Sequence, residues 1–388
     1  VVVLILHAAA PDDAGPLVRA LAEERYSLAI RQRDAFLAAG ADVAEVVPGP
    51  PDGLSFGERL AAEIRARTGT AGGAMPPGGA MPPGGLIVLG SGSIPLARAA
   101  DLRRFVEVAA GPGGHALANN RYSADVVAVS RAADLAELPP LPADNALPRW
   151  LEERAGVAVT DLRSHWRLGV DVDTPLDLLM IDLGGPATTA PLIGERLAAL
   201  SDVLRNRRAE LLVAGRVSAT TLRWLESGVA CRVRALVEER GLRAASRLAQ
   251  SGATTGSRPP RSVLGELLDR DGPESLARAV ATLADAAVID TRVLLAHRYG
   301  ADEAALPPAV QRAGAAQRPA ATSRATAWPL PEDRFASDLL LPATIADPWL
   351  RALTESAVAS EIPILLGGHT AVNGGLRLLA QRARAGKR

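Results

Sequence analysis

The chain has 388 residues, 48% hydrophobic and 3% aromatic, with 43 basic against 43 acidic side chains for a net charge of zero. That length accommodates two or three domains, each with its own core, and the balanced charge gives no argument for nucleic acid or an anionic membrane surface as a partner. The basic residues are arginine except for Lys387, which excludes an internal Schiff-base lysine and a Walker-type loop, so any phosphate clamp must use arginine or backbone N–H groups.

Val1 to Leu6 reads as a buried strand, too short to span a bilayer and without the basic flank of a signal peptide. Helical spacing follows over Pro16 to Ala39, closed by Gly40; Val43 to Val47 reads as a strand, and Ser55 to Arg67 as a helix opened by a capping box. Between Gly72 and Gly85 the heptapeptide Gly-Gly-Ala-Met-Pro-Pro-Gly occurs twice in succession, a loop composition. Leu86 to Gly90 is a strand, Asp101 to Ala109 a helix, Asp125 to Ser130 a strand, Asn145 to Ala155 a helix and Val157 to Leu162 a strand. Leu192 to Arg207 looks like a connecting helix.

The pattern then restarts. Glu210 to Ala214, Cys231 to Val237, Ala287 to Asp290 and Ile362 to Leu366 read as strands; Ala219 to Glu226, Ser275 to Ala284 and Pro348 to Ser360 read as helices, the last with Asp347 as N-cap. Gln250 to Arg261 and Ala301 to Thr326 read as loops, and a final helix starts after Gly368. Strands alternating with helices predict an α/β protein with mostly parallel sheets. The expected organisation is a domain over 1–185, a connecting helix over 186–208 and a second α/β domain over 209–388, in a soluble cytoplasmic chain. The single cysteine, Cys231, lies in an apolar run and reads as a core thiol.

Gly169-Val170-Asp171-Val172-Asp173-Thr174-Pro175-Leu176-Asp177-Leu178 is the most informative stretch. Asp173 or Thr174 suits the N-cap of a helix, Pro175 its first position and Asp177 its first turn. Asp171, left over from capping at the end of a short apolar strand, is placed to hold a divalent cation against a phosphate. This D-x-D-T-P-x-D-L string resembles the closing motif of the MobA-like and CofC-like nucleotidyltransferases. Asp144-Asn145-Ala146-Leu147-Pro148 is similar to the segment before the last strand of that family. Leu86 to Gly90 with Ser93-Ile94-Pro95-Leu96 is similar to its central strand and G-D-x-P-L turn.

The resemblance implies a Rossmann-like nucleotide-binding fold, transfer of a nucleoside monophosphate onto a phosphorylated small acceptor, and Mg²⁺ held by Asp171 with Asp173. Two departures stand beside it. Ser93 occupies the place of the metal-binding aspartate in the G-D-x-P-L turn, and the glycine-rich phosphate loop is replaced by His7-Ala8-Ala9-Ala10-Pro11-Asp12-Asp13, which has no glycine, arginine or lysine. The competing reading is a degenerate nucleotide-binding or scaffold protein.

Ser91 and Ser93, in the loop after a strand, suit a phosphate; Asn119, Asn120 and Arg121 suit a base or sugar, or simply a surface turn. His165 beside Trp166 reads as a half-buried structural pair. In the second half Arg216, Arg240 and Arg292 each follow a predicted strand, as do Gly367, Gly368 and His369, and together they suggest an edge that binds an anionic small molecule. Glu238, Glu239 and Asp290 are placed to neutralise those arginines instead. Asp333 and Asp338, with Asp290 and His369, suggest a metal or acid/base group, and with it chemistry located in this half.

Overall fold

Val2, Leu4 and Leu6 point to one side of the first strand and Val3 and Ile5 to the other, and all five are buried. A strand covered on both faces needs a continuous apolar run, which is what Val1 to Leu6 supplies. The computed structural model describes residues 1–49, 56–68, 84–135, 138–139, 141, 146–182, 190–238, 260–300 and 328–385. Ser55, the Gly72 to Pro83 part of the repeat, Asp144, Asn145, Glu239, Arg240 and both loops of the second half up to 259 and 327 lie outside the described residues.

The chain forms two compact units: 1–10 with 22–171, and 11–21 with 172–388. The first holds β1 (Val2–Ala8), most of α1 (Pro16–Ala38), β2 (Val43–Gly49), α2 (Phe56–Thr68), β3 (Leu86–Gly90), α3 (Ala99–Ala109), β4 (His115–Ala118), β5 (Val126–Val129), α4 (Leu147–Glu153) and β6 (Ala158–Asp161). Its six-stranded sheet runs β2-β1-β3-β5-β4-β6, parallel except for β5, which is antiparallel to both neighbours.

The second unit holds α5 (Pro175–Ile181), α6 (Pro191–Arg205), β7 (Glu210–Gly215), α7 (Ala219–Gly228), β8 (Arg232–Val237), α8 (Val263–Asp271), α9 (Leu276–Ala281), β9 (Ala286–Asp290), α10 (Thr291–Tyr299), α11 (Pro331–Asp338), α12 (Pro348–Ala359), β10 (Ile364–Gly367) and α13 (Leu376–Ala385). Its sheet, β10-β9-β7-β8, is wholly parallel. Side-chain oxygens close several helix starts: Ser218 accepts from Thr221 N, Ser262 from Gly265 N and Asp347 from Leu350 N.

Three expectations change. The division falls at 171/172 rather than 185, and α6 is no connector: Ile193, Leu197, Leu200 and Leu204 are buried in the core of the second sheet. Residues 11–21 go with the second unit because Leu17 packs on that core and Glu332 of α11 accepts from Leu17 N and Val18 N at 3.0 and 3.1 Å. Asp171 does not end a strand. A 3-10 turn over Trp166–Gly169 leads into it, and Val170 and Val172 are buried although neither belongs to a strand. Cys231 is a core thiol, as expected. No helix of the described residues is long and apolar enough to cross a membrane.

Candidate functional site

In the first unit the chain leaves β1 for β2 on one side and returns to β3 on the other. That reversal puts the carboxyl ends of β1 and β3 at the position where open α/β sheets bind ligands. His7 is the penultimate residue of β1 and Ser91 follows β3; both are buried, and His7 Nδ1 lies 3.1 Å from Ser91 Oγ. Burial, and then the field of Arg25, hold the imidazole below its ordinary pKa of 6.5, so His7 is neutral at pH 7. The ring of Tyr26, on α1, sits 5.2 Å away at a tilt and is 45% exposed.

The loop after β3 is held tightly. Ser93 N donates to Gly90 O, and Gln32 of α1 donates to the Ser93 carbonyl. Ile94 adopts φ 42° while fully packed, a left-handed conformation that a β-branched residue reaches only under constraint. The sequence passed over His7 because its loop lacks glycine. The one signal was a titratable residue ending an apolar run, and its meaning depends on strand order.

Other residues of this unit take structural roles. Asn119, expected to face a base or sugar, is buried: its amide nitrogen donates to Asp125 and to the Leu168 carbonyl, and its oxygen accepts from Asp125 N and Val126 N. Asn120 accepts from Tyr122 N in a turn, and Arg121 pairs with Glu152. Contacts within the unit thus engage all three positions. His165 lies 3.2 Å from Asp101, whose carboxylate also caps α3.

The D-T-P-x-D segment is a helix cap. Thr174 is the N-cap of α5 and accepts from Asp177 N, while the buried Asp177 accepts from Asp173 N, Thr174 N and Thr174 Oγ1 at 2.8–3.0 Å. Asp171 is the last residue of the first unit. Asp173, in the second, has a carboxylate oxygen 3.9 Å from His369 Nδ1. An imidazole is a nitrogen donor, which Mg²⁺ takes poorly and softer divalent metals accept. The donor chemistry here departs from the oxygen site that the resemblance implies for magnesium.

In the second unit β7 has β8 on one side and β9 on the other, so its reversal lies between Gly215 and Asp290. Asp290 is fully buried and N-caps α10 through Arg292 N. Arg216 grips it side-on, Nε to Oδ2 at 2.7 Å and Nη2 to Oδ1 at 3.1 Å. Burial pushes the Asp290 carboxyl up, but Arg216, then Arg292 and His369, outweigh it and hold it below its ordinary range. Asp338 of α11 pairs with the buried Arg292 through both oxygens, and there burial prevails and raises the carboxyl.

The expected three-arginine edge is thus not assembled as drawn. Arg292 is 6% exposed and turned inward to Asp338, Arg216 lies on Asp290 with 23% of its side chain exposed, and Arg240 is outside the described residues. A Cβ on Gly367 would meet Ala371 and Leu176, and Gly368 lies near Thr174. The expected grouping of Asp333 with Asp290 and His369 is likewise replaced by a cap, since Asp333 accepts from Ala346 N and Asp347 N. Comparison with protein-family models, curated proteins and solved structures returns no match.

Proposed function

We propose that the first unit binds a nucleotide in the manner of a MobA-like or CofC-like nucleotidyltransferase, with transferase chemistry weak or absent. The observation that carries the binding reading is the buried His7–Ser91 pair at the chain reversal between β1 and β3, beside a loop strained at Ile94. A neutral imidazole and a hydroxyl offer hydrogen bonds to a sugar or phosphate without adding charge. Tyr26 adds an exposed ring on which a base can stack.

The weakness of the chemistry rests on the groups present. Ser93 stands where the family carries a carboxylate, and its carbonyl is held by Gln32. These groups supply neither paired carboxylates for a cation nor a cationic clamp for pyrophosphate.

Thermal-shift titration with the four nucleoside triphosphates, with and without Mg²⁺, tests the reading. Ligand at a hundred times its dissociation constant stabilises by about 2.7 kcal/mol. A shift that His7→Gln and Ser91→Ala remove is expected, and no shift with any nucleotide overturns the proposal.

A further inference from the structure

One buried side chain of the first unit does more than fill space. Gln32 shares a face of α1 with Ala29 and Phe36, both wholly buried in the apolar cluster on that side of the sheet. It is itself 6% exposed, and its Nε2 donates to the carbonyl of Ser93, in the loop after β3. Its Oε1 is buried with no hydrogen-bond partner among the described residues. With the amide turned over, two oxygens would face each other, so the donation to Ser93 fixes Oε1 as the atom left over. A leucine or methionine here would leave no polar atom desolvated. The glutamine therefore stabilises the fold less than an apolar side chain of its size would, and what it adds is the hold on Ser93.

The next residue shows what that hold maintains. Ile94 has φ 42°, and its side chain lies in the same apolar cluster as Ile5, Phe36 and Phe105. A left-handed backbone is unfavourable for a β-branched residue, and the following Pro95 favours an extended one. Such a conformation persists where its surroundings over-determine it. Within the loop, Ser93 N donates to Gly90 O and Ala97 N to Ile94 O, both at 3.0 Å. Gln32 adds a tie from outside, joining the loop to the helix that also carries Tyr26. The turn closed by Ser93 and Gly90 contains Ser91, whose hydroxyl faces His7. A strained backbone and an unpaired buried oxygen both raise the free energy of this arrangement, so a relaxed form of the loop lies close to it.

We propose that Gln32 is a positioning residue for the ligand site of the first unit. Its hold on Ser93 keeps the Gly90 to Ile94 loop, and with it the Ser91 hydroxyl at His7, in the form that receives the ligand. Without that hold the loop relaxes, and affinity falls with the fraction of molecules left in the receiving form. The identity of the ligand rests on the nucleotide reading; the latch does not.

Gln32→Met in the full chain tests this, because methionine keeps a similar volume without either polar atom. The variant is expected to melt at the same temperature as the wild type or higher, since the unpaired oxygen is gone. Hydrogen exchange at the Ser93 and Ala97 amides is expected to quicken about tenfold or more, with the amides of β1 and β3 unchanged. Calorimetry with the nucleoside triphosphate that stabilises the wild type most is expected to show affinity lowered about fivefold or more. A lower Tm alongside lost binding would assign Gln32 to the fold alone and overturn the proposal. Unchanged exchange in the loop, or unchanged affinity, overturns it as well. Where the wild type binds no nucleotide, the nucleotide reading falls and the exchange comparison decides the latch by itself.

Discussion

Two glycines with left-handed backbones separate conformation from close approach at the scale of single residues. Gly114 has φ 89° with nothing within 4 Å of where a Cβ would stand, whereas Gly215 has φ 125° and the Asp290 side chain at 2.3 Å. Gly114→Ala therefore incurs backbone strain alone, about 1 kcal/mol. Gly215→Ala adds a clash with an atom next to the main chain and should cost roughly 2–4 kcal/mol in denaturant unfolding. Equal costs for the two would show that Gly215 is not kept for the approach of Asp290. His7 allows a test of sign. Its folded pKa lies below 6.5, so as pH falls through that value the unfolded chain takes up a proton that the folded chain refuses. Stability conferred by the neutral imidazole is fully present above pH 6.5 and declines below it. His7→Gln should flatten this part of the stability–pH curve; superimposable curves between pH 5 and 7 would mean that His7 is not desolvated in solution.

At the scale of elements, α5 offers the sharpest test, because one buried carboxylate closes its first turn. Asp177→Asn keeps an acceptor oxygen but removes the charge at the helix N-terminus and should cost about 1 kcal/mol, with Asp177→Ala nearer 2. Both are read by denaturant unfolding, and unchanged midpoints would refute the cap. This element was legible in the sequence because its signals are local: Thr174, Pro175 and Asp177 each have a positional meaning independent of the rest of the chain. Apolar runs likewise placed β1, β3, β7 and β9 within one or two residues. What the sequence concealed were elements whose burial has another source. The helix α11 reads as a polar stretch, Pro-Glu-Asp-Arg-Phe-Ala-Ser-Asp, yet Asp333, Arg334, Ser337 and Asp338 are all buried. Asp338 is covered because Arg292 meets it, Asp333 because backbone amides do, and Ser337 because Thr354 lies 2.8 Å away. A search for apolar periodicity cannot see a helix buried through its hydrogen bonds. The four residues of β4 are too few to show alternation, and the strand exists through its pairing with β5 and β6.

Across the whole molecule, the candidate sites were only half legible for a related reason. A strand-end residue becomes a site residue when the order of strands puts a reversal beside it, and order is a long-range property. Ser91, Ser93, Arg216 and His369 were visible as polar groups after strands, but His7 gained meaning only once β1 proved to lie between β2 and β3. The same global view bears on turnover. Transfer of a nucleoside monophosphate needs charge compensation for the pyrophosphate that leaves, and with Lys387 the only lysine that role falls to arginine or backbone amides. Arg121 and Arg167 of the first unit lie against Glu152 and Asp101, and Arg25 is one cation whose field reaches His7. Pyrophosphate release with any ordinary nucleoside triphosphate and a phosphorylated acceptor is therefore expected to be absent or very slow. Replacing Ser93 by Asp is expected to leave it so, since a single carboxylate does not restore the clamp. A coupled pyrophosphate assay on both proteins decides the matter. Robust release by the wild type would establish an active transferase, whereas release by Ser93→Asp alone would place the whole deficit at that one position.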